Sequence, residues 1–144
     1  MRTLALATLL FAAATTTCAL AADDNYWPKD AKVFIISPKS GAKVMSPVTI
    51  KFGHKGLDIA PAGDKSPNSG HFHLLIDQAL PADLSVPLAV DDHTLHYGKA
   101  QTEATLDATK LPPGKHTLQL VMGDGSHIPH SPALVSKKIT ITVE

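Results

Sequence analysis

The chain has 144 residues, with 13 basic and 13 acidic side chains, eight histidines and a single cysteine, and a formal net charge of zero with histidine neutral. Such a balance supplies no basic surface for nucleic acid. One cysteine cannot build a disulfide framework, a thiolate zinc site or an iron–sulfur cluster.

The chain opens with Met1-Arg2, an apolar run from Leu4 to Ala14 and the small residues of Ala19-Leu20-Ala21, which together read as a secretory signal peptide over residues 1–21. The run is too short to span a bilayer. Cys18 follows Thr17 rather than the glycine, alanine or serine that usually precedes a lipidated cysteine, so cleavage after Ala21 is expected. Removal of this segment takes away the only cysteine and the only arginine, leaving 12 lysines against 13 acidic residues. A blue-copper centre is then excluded as well. The expected location is the periplasm, with no membrane span in the mature chain. A single hydrophobic core must hold it there without a disulfide, and the remaining 123 of 144 residues suffice to bury one.

Residues 22–32, with Tyr26, Trp27 and Pro28, read as a loosely held lead-in, and 33–144 as one domain. Val33-Phe34-Ile35-Ile36 is a run of strand length, ended by Ser37-Pro38 and a turn at Lys39-Ser40-Gly41. Residues 48–52 alternate apolar and polar as a half-buried strand does. From Gly56 to Gly70 the composition is that of a loop. In the run 71–76, Phe72, Leu74 and Ile76 fall on one face of a strand, and His71, His73 and Leu75 on the other. Residues 77–93, with Pro81, Pro87 and four aspartates, form a second long connection. Short runs follow at 94–97 and 102–106, then a rigid corner at Leu111-Pro112-Pro113-Gly114. The run 115–122 carries His116, Leu118, Leu120 and Met122 on one face. A loop over 123–132 contains His127 and His130, and a final alternating run covers 135–143.

Seven short β runs separated by turn signals, without helical periodicity, predict an all-β, immunoglobulin-like antiparallel β-sandwich of about seven strands. Sandwiches of this kind often pin the corner before the sixth strand with an aromatic side chain. His116 occupies that place, and a structural corner role is expected for it.

If the runs alternate in direction, the start of 71–76, the end of 115–122 and the turn after 94–97 meet at one pole. That pole gathers His71, His73, His96, His127 and His130, with His54 nearby. His71 and His73 are roughly 6–7 Å apart along an extended strand, a spacing at which one ion can take both imidazoles. These five residues are therefore the expected metal ligands. Imidazole suits zinc, copper, iron and nickel, and copper binds a given nitrogen site most tightly, so copper is expected with zinc as the alternative. Asp124 or Asp77 would orient a ligand through its second ring nitrogen.

The expected role is metal carriage, buffering or delivery, with a donor or acceptor protein of the cell envelope as partner and no catalytic residues. Two other readings stay open. A crown of histidines titrating between about pH 5 and 7 can serve as a metal-free, pH-responsive interaction surface. A His-x-His strand in a β-sandwich is also similar to copper–zinc superoxide dismutases, although no cysteine is left to brace their loop.

Four ordered motifs carry a family resemblance: GHFHLLID from Gly70, HYGKAQTE from His96, LPPGKHTLQL from Leu111 and DGSHIPH from Asp124. The chain from Val33 onward resembles an exported bacterial family described as a domain of unknown function, with the motifs GHHHLLID, HFGKGQTE, PGxHTLQL and DxxHxPH. The resemblance marks His71, His73, His96, His116, His127 and His130 as the recurrent histidines, and Phe72 stands where the family often has another. It implies no activity. The segment around DGSH also resembles copper-resistance-type periplasmic copper-binding sandwiches, in which a late loop histidine is a ligand.

Overall fold

The computed structural model describes residues 26–144, so the expected signal peptide and Cys18 lie outside the described residues. The described residues form nine strands: β1 (Lys32–Ser37), β2 (Lys43–Val44), β3 (Val48–Lys55), β4 (Asp58–Ile59), β5 (Ser69–Ile76), β6 (Thr94–Tyr97), β7 (Glu103–Leu106), β8 (Gly114–Gly123) and β9 (Ile139–Val143). They build two sheets, one ordered β1-β3-β7 and one ordered β2-β9-β8-β5-β4, with β6 also paired to β5. The all-β sandwich expected from the sequence is the observed fold. No helix among the described residues is long and apolar enough to cross a membrane.

Alternation within the strands makes the core. Val48, Ile50 and Phe52 of β3 and Ala104 and Leu106 of β7 face Phe72, Leu74 and Ile76 of β5 and Leu118, Leu120 and Met122 of β8. Burying each large apolar side chain contributes about 1.5–3 kcal/mol, so this layer alone outweighs any surface ion pair.

The outer face of β5 departs from expectation. The alternation in 71–76 suggests one buried and one polar face, yet all eight residues of β5 are buried. Leu75 packs with Leu88 and Val121 in a second apolar cluster, joined by Leu80 and Val135. The long connection between β5 and β6 thus folds over the second sheet. Its sequence trace is the doublet Leu74-Leu75, since a strand covered on both faces reads as a continuous apolar run.

Two pairings are parallel, β2 with β9 and β4 with β5, and each spans two residues. The final run is shorter than 135–143 predicts, because Ser136 interrupts it. The Leu120 amide donates to Ser136 Oγ at 2.9 Å, and that hydroxyl donates to the Lys137 carbonyl at 2.9 Å. A side chain thereby takes a ladder position, leaving only the bridge between Val121 and Val135 before β9 begins.

At the pole away from the His71–His73 pair, His116 pins the corner as expected. Its Nδ1 and Nε2 each lie 2.7 Å from an oxygen, that of Asp77 and that of the Pro112 carbonyl. Asp77 also accepts the Thr117 amide at 2.7 Å.

Candidate metal centre

His71 and His73 stand on the outer face of β5. Across the strand pairing, His71 lies opposite Gly123, while His73 lies opposite Val121 of β8 and His96 of β6. Directly opposed residues share a face, which brings the His96 ring beside His73. His127 reaches the same spot from the loop after β8. The six ring-to-ring separations run only from 4.7 Å, between His96 and His127, to 5.7 Å, between His73 and His127. A square would stretch its diagonals to about 1.4 times its edges, so the rings are disposed nearer to a tetrahedron than to the plane copper(II) prefers. One nitrogen from each of the four lies within 4.8 Å of the other three, a group that could hold a metal ion. Bonds of about 2.0–2.1 Å to a tetrahedral ion would need nitrogens about 3.4 Å apart, so modest ring rotations close the shell.

Two glycines make room. A Cβ at Gly98 would sit 2.3 Å from His96 Cε1, and one at Gly123 would sit 2.8 Å from His73 Cε1. Residues 60–64 close the pole: the Ala62 amide donates to the Gly98 carbonyl at 2.9 Å and the Gly63 amide to the Gly125 carbonyl at 2.8 Å.

The polar accounting of the cluster is incomplete in a specific way. His71 Nε2 and His127 Nδ1 hydrogen-bond at 3.1 Å. His71 Nδ1, both nitrogens of His73 and His96 Nε2 are buried without any partner. Burial, followed by the charges of His96 and His127, pushes the His71 pKa down to about 4. Burial, followed by the charges of His71, His96 and His127, pushes His73 down to about 3. His96 is lowered as well, by burial and then by His127. All three are held as neutral imidazoles, the form that binds metal.

Asp124 shapes the loop that carries His127. Its Oδ1 accepts the amides of Ser126 at 2.8 Å and Ile128 at 2.9 Å, and the His127 amide donates to the Asp124 carbonyl at 2.9 Å. His127 adopts φ +68°, a left-handed conformation that L residues enter only where surrounding bonds enforce it. The Asp124 carboxylate does not orient a cluster histidine; it accepts His130 Nε2 at 2.8 Å. Asp77 is likewise engaged with His116 rather than with the cluster.

Of the five expected ligands, His71, His73, His96 and His127 come together, and His130 does not join them. The His130 ring stacks on Tyr26 with centroids 3.6 Å apart. His54 is exposed and its Nδ1 meets the Leu57 carbonyl, while His93 meets the Ile76 carbonyl. The lead-in is not loose at Trp27, which is 5% exposed and donates Nε1 to the Pro129 carbonyl at 2.7 Å. Composition alone hid this tie, because its partner is a backbone carbonyl 102 residues away.

The family model for "Domain of unknown function (DUF4399)" matches residues 50–144, which include all four histidines. No curated protein matches the chain. Among solved structures, the X-ray structure of the endo-beta-1,4-mannanase from Thermotoga petrophila is similar at 16% identity and a TM-score of 0.45, covering 81% of this chain and 20% of that one.

Proposed function

The chain belongs to the DUF4399 family, a domain of unknown function, and from the geometry of its histidine site we propose that it is an exported metal-binding protein. One ion would be held by His71, His73, His96 and His127, for carriage, buffering or delivery to a partner in the periplasm. The observation that carries this reading is the set of buried imidazole nitrogens without partners on the strand residues His71, His73 and His96, to which the loop adds His127. Each such group costs about 1–3 kcal/mol when left unpaired, and a coordinated ion would satisfy one on each of these three strand rings. Four imidazoles complete a tetrahedral shell, which suits holding an ion rather than catalysis at an open position. The near-tetrahedral ring arrangement favours zinc, whereas the general affinity order favours copper.

The low pKa values of His71 and His73 count against a metal-free surface that switches between pH 5 and 7. A superoxide-dismutase-like reading needs a second metal site. The described residues bring together a single group of three or more ligating side chains.

Separate zinc and copper(II) titrations of the metal-stripped mature chain, beside a His71→Ala/His73→Ala variant, test the proposal. One saturable site lost in the variant is expected. Weak binding of both metals, unchanged in the variant, would remove it.

A further inference from the structure

Three of the four histidines are strand residues and one is not. His71 and His73 are fully buried. His96 is half-buried, with its Nε2 enclosed and its ring closely approached at Gly98. These three rings can turn in place, but the packing around their strands keeps them within the cluster. His127 is half-buried on a loop, and its ring meets the cluster through one hydrogen bond, between its Nδ1 and His71 Nε2. Its backbone is fixed independently of its ring, by Asp124 on one side and by the Leu88 amide on the His127 carbonyl at 2.9 Å on the other. The ring can therefore swing away by side-chain rotation while the loop stays in place.

We propose that His127 is the exchangeable ligand of the site: an incoming neutral imidazole from a partner protein displaces it, while His71, His73 and His96 keep hold of the ion. This rests on the metal-binding reading above. One metal–nitrogen bond breaks and another forms, one neutral imidazole replaces another, and no proton or electron is transferred. Three strand histidines retain a firm hold during the exchange, and the ion never leaves a nitrogen environment.

Cobalt(II) serves as a visible probe of tetrahedral nitrogen coordination, with free imidazole standing in for the partner's side chain. Wild type, His127→Ala and His73→Ala would be loaded with cobalt(II), with folding of each checked by circular dichroism. The expected result is that His127→Ala still binds one ion with a shifted visible spectrum, and that free imidazole restores the wild-type bands saturably. His73→Ala should lose the bands, with no recovery on adding imidazole. A His127→Ala spectrum identical to wild type, or loss of the ion without rescue, would overturn the exchange role and leave the metal site standing. Failure of folded wild type to bind cobalt(II), zinc or copper(II) would instead remove the metal-binding reading itself.

Discussion

His73 and His96 face each other directly across β5 and β6, their rings 5.2 Å apart and tilted by 33°. Neither nitrogen of His73 has a partner, although the side chain is completely buried. Stability would be better served by an apolar side chain at this position. His73→Leu should therefore raise the stability of the metal-free protein by about 1–3 kcal/mol, because an unsatisfied polar group is replaced by a well-packed apolar one. Urea unfolding in the presence of a chelator measures this. The same variant should lose the zinc-dependent rise in Tm that a ligand binding only the folded state confers. A less stable metal-free variant would mean that the His73 ring is satisfied in solution.

The metal-free protein should also weaken early in acid. His71 and His73 have folded pKa values of about 4 and 3, below the ordinary value of 6.5, so the unfolded chain binds more protons once the pH falls below 6.5. Their contribution to stability is complete above that pH and declines as the pH falls toward the folded values. The slope approaches about 1.4 kcal/mol per pH unit for each histidine. Unfolding free energies between pH 7 and 4 should show it, and His73→Leu should remove about half.

Much of this was legible beforehand because side-chain period and pole geometry are local rules. All seven longer strands fall on runs that alternation, apolar character or turn signals mark in the sequence, and strand direction brings His71, His73, His96 and His127 to one pole, together with His130. His130 differs because a loop residue's orientation depends on bonds that spacing does not encode, here the Asp124 carboxylate and the Tyr26 ring. The covering of Leu75 by Leu88 was hidden for a related reason: residues 77–93 read as a long connection, and spacing does not say which apolar residue of a loop turns inward.

The corner at His116 should give stability with two pH limits. Both of its ring nitrogens face oxygen acceptors, so both must donate and the ring is held as imidazolium. Burial opposes the charge, but the bonds to Asp77 and Pro112 prevail and raise the His116 pKa. Burial likewise opposes the Asp77 charge, and the bonds from His116 and Thr117 prevail and lower its pKa. The histidine's contribution is full below 6.5 and is lost as the pH rises through its raised value. The aspartate's contribution is full above its ordinary value near 3.8 and is lost as the pH falls through its lowered one. Solvent reaches Asp77 and screens the pair, so Asp77→Asn should cost roughly 1 kcal/mol near pH 5.5 and less above pH 8. Thermal unfolding across this range checks the shape, and a cost independent of pH would show that only the Thr117 bond matters.

Gly98 offers a change that separates site from fold. The residue follows β6, and an added methyl would meet His96 at Cε1, 2.3 Å away, and at Nε2, 2.4 Å away, with Ala62 Cβ next at 3.0 Å. Its φ is not left-handed, so alanine is not strained in the backbone and reduces the freedom of the unfolded chain. The strain falls on the His96 ring, which must turn, because the sheet holds its Cα opposite His73. Gly98→Ala should lower zinc affinity about 10–100-fold, the range seen when the support of a metal ligand is lost. The Tm of the metal-free protein should stay near that of wild type. Calorimetric titration and thermal unfolding of the same sample read the two effects separately. Unchanged zinc affinity in a folded Gly98→Ala protein would show that the orientation of His96 does not govern metal binding.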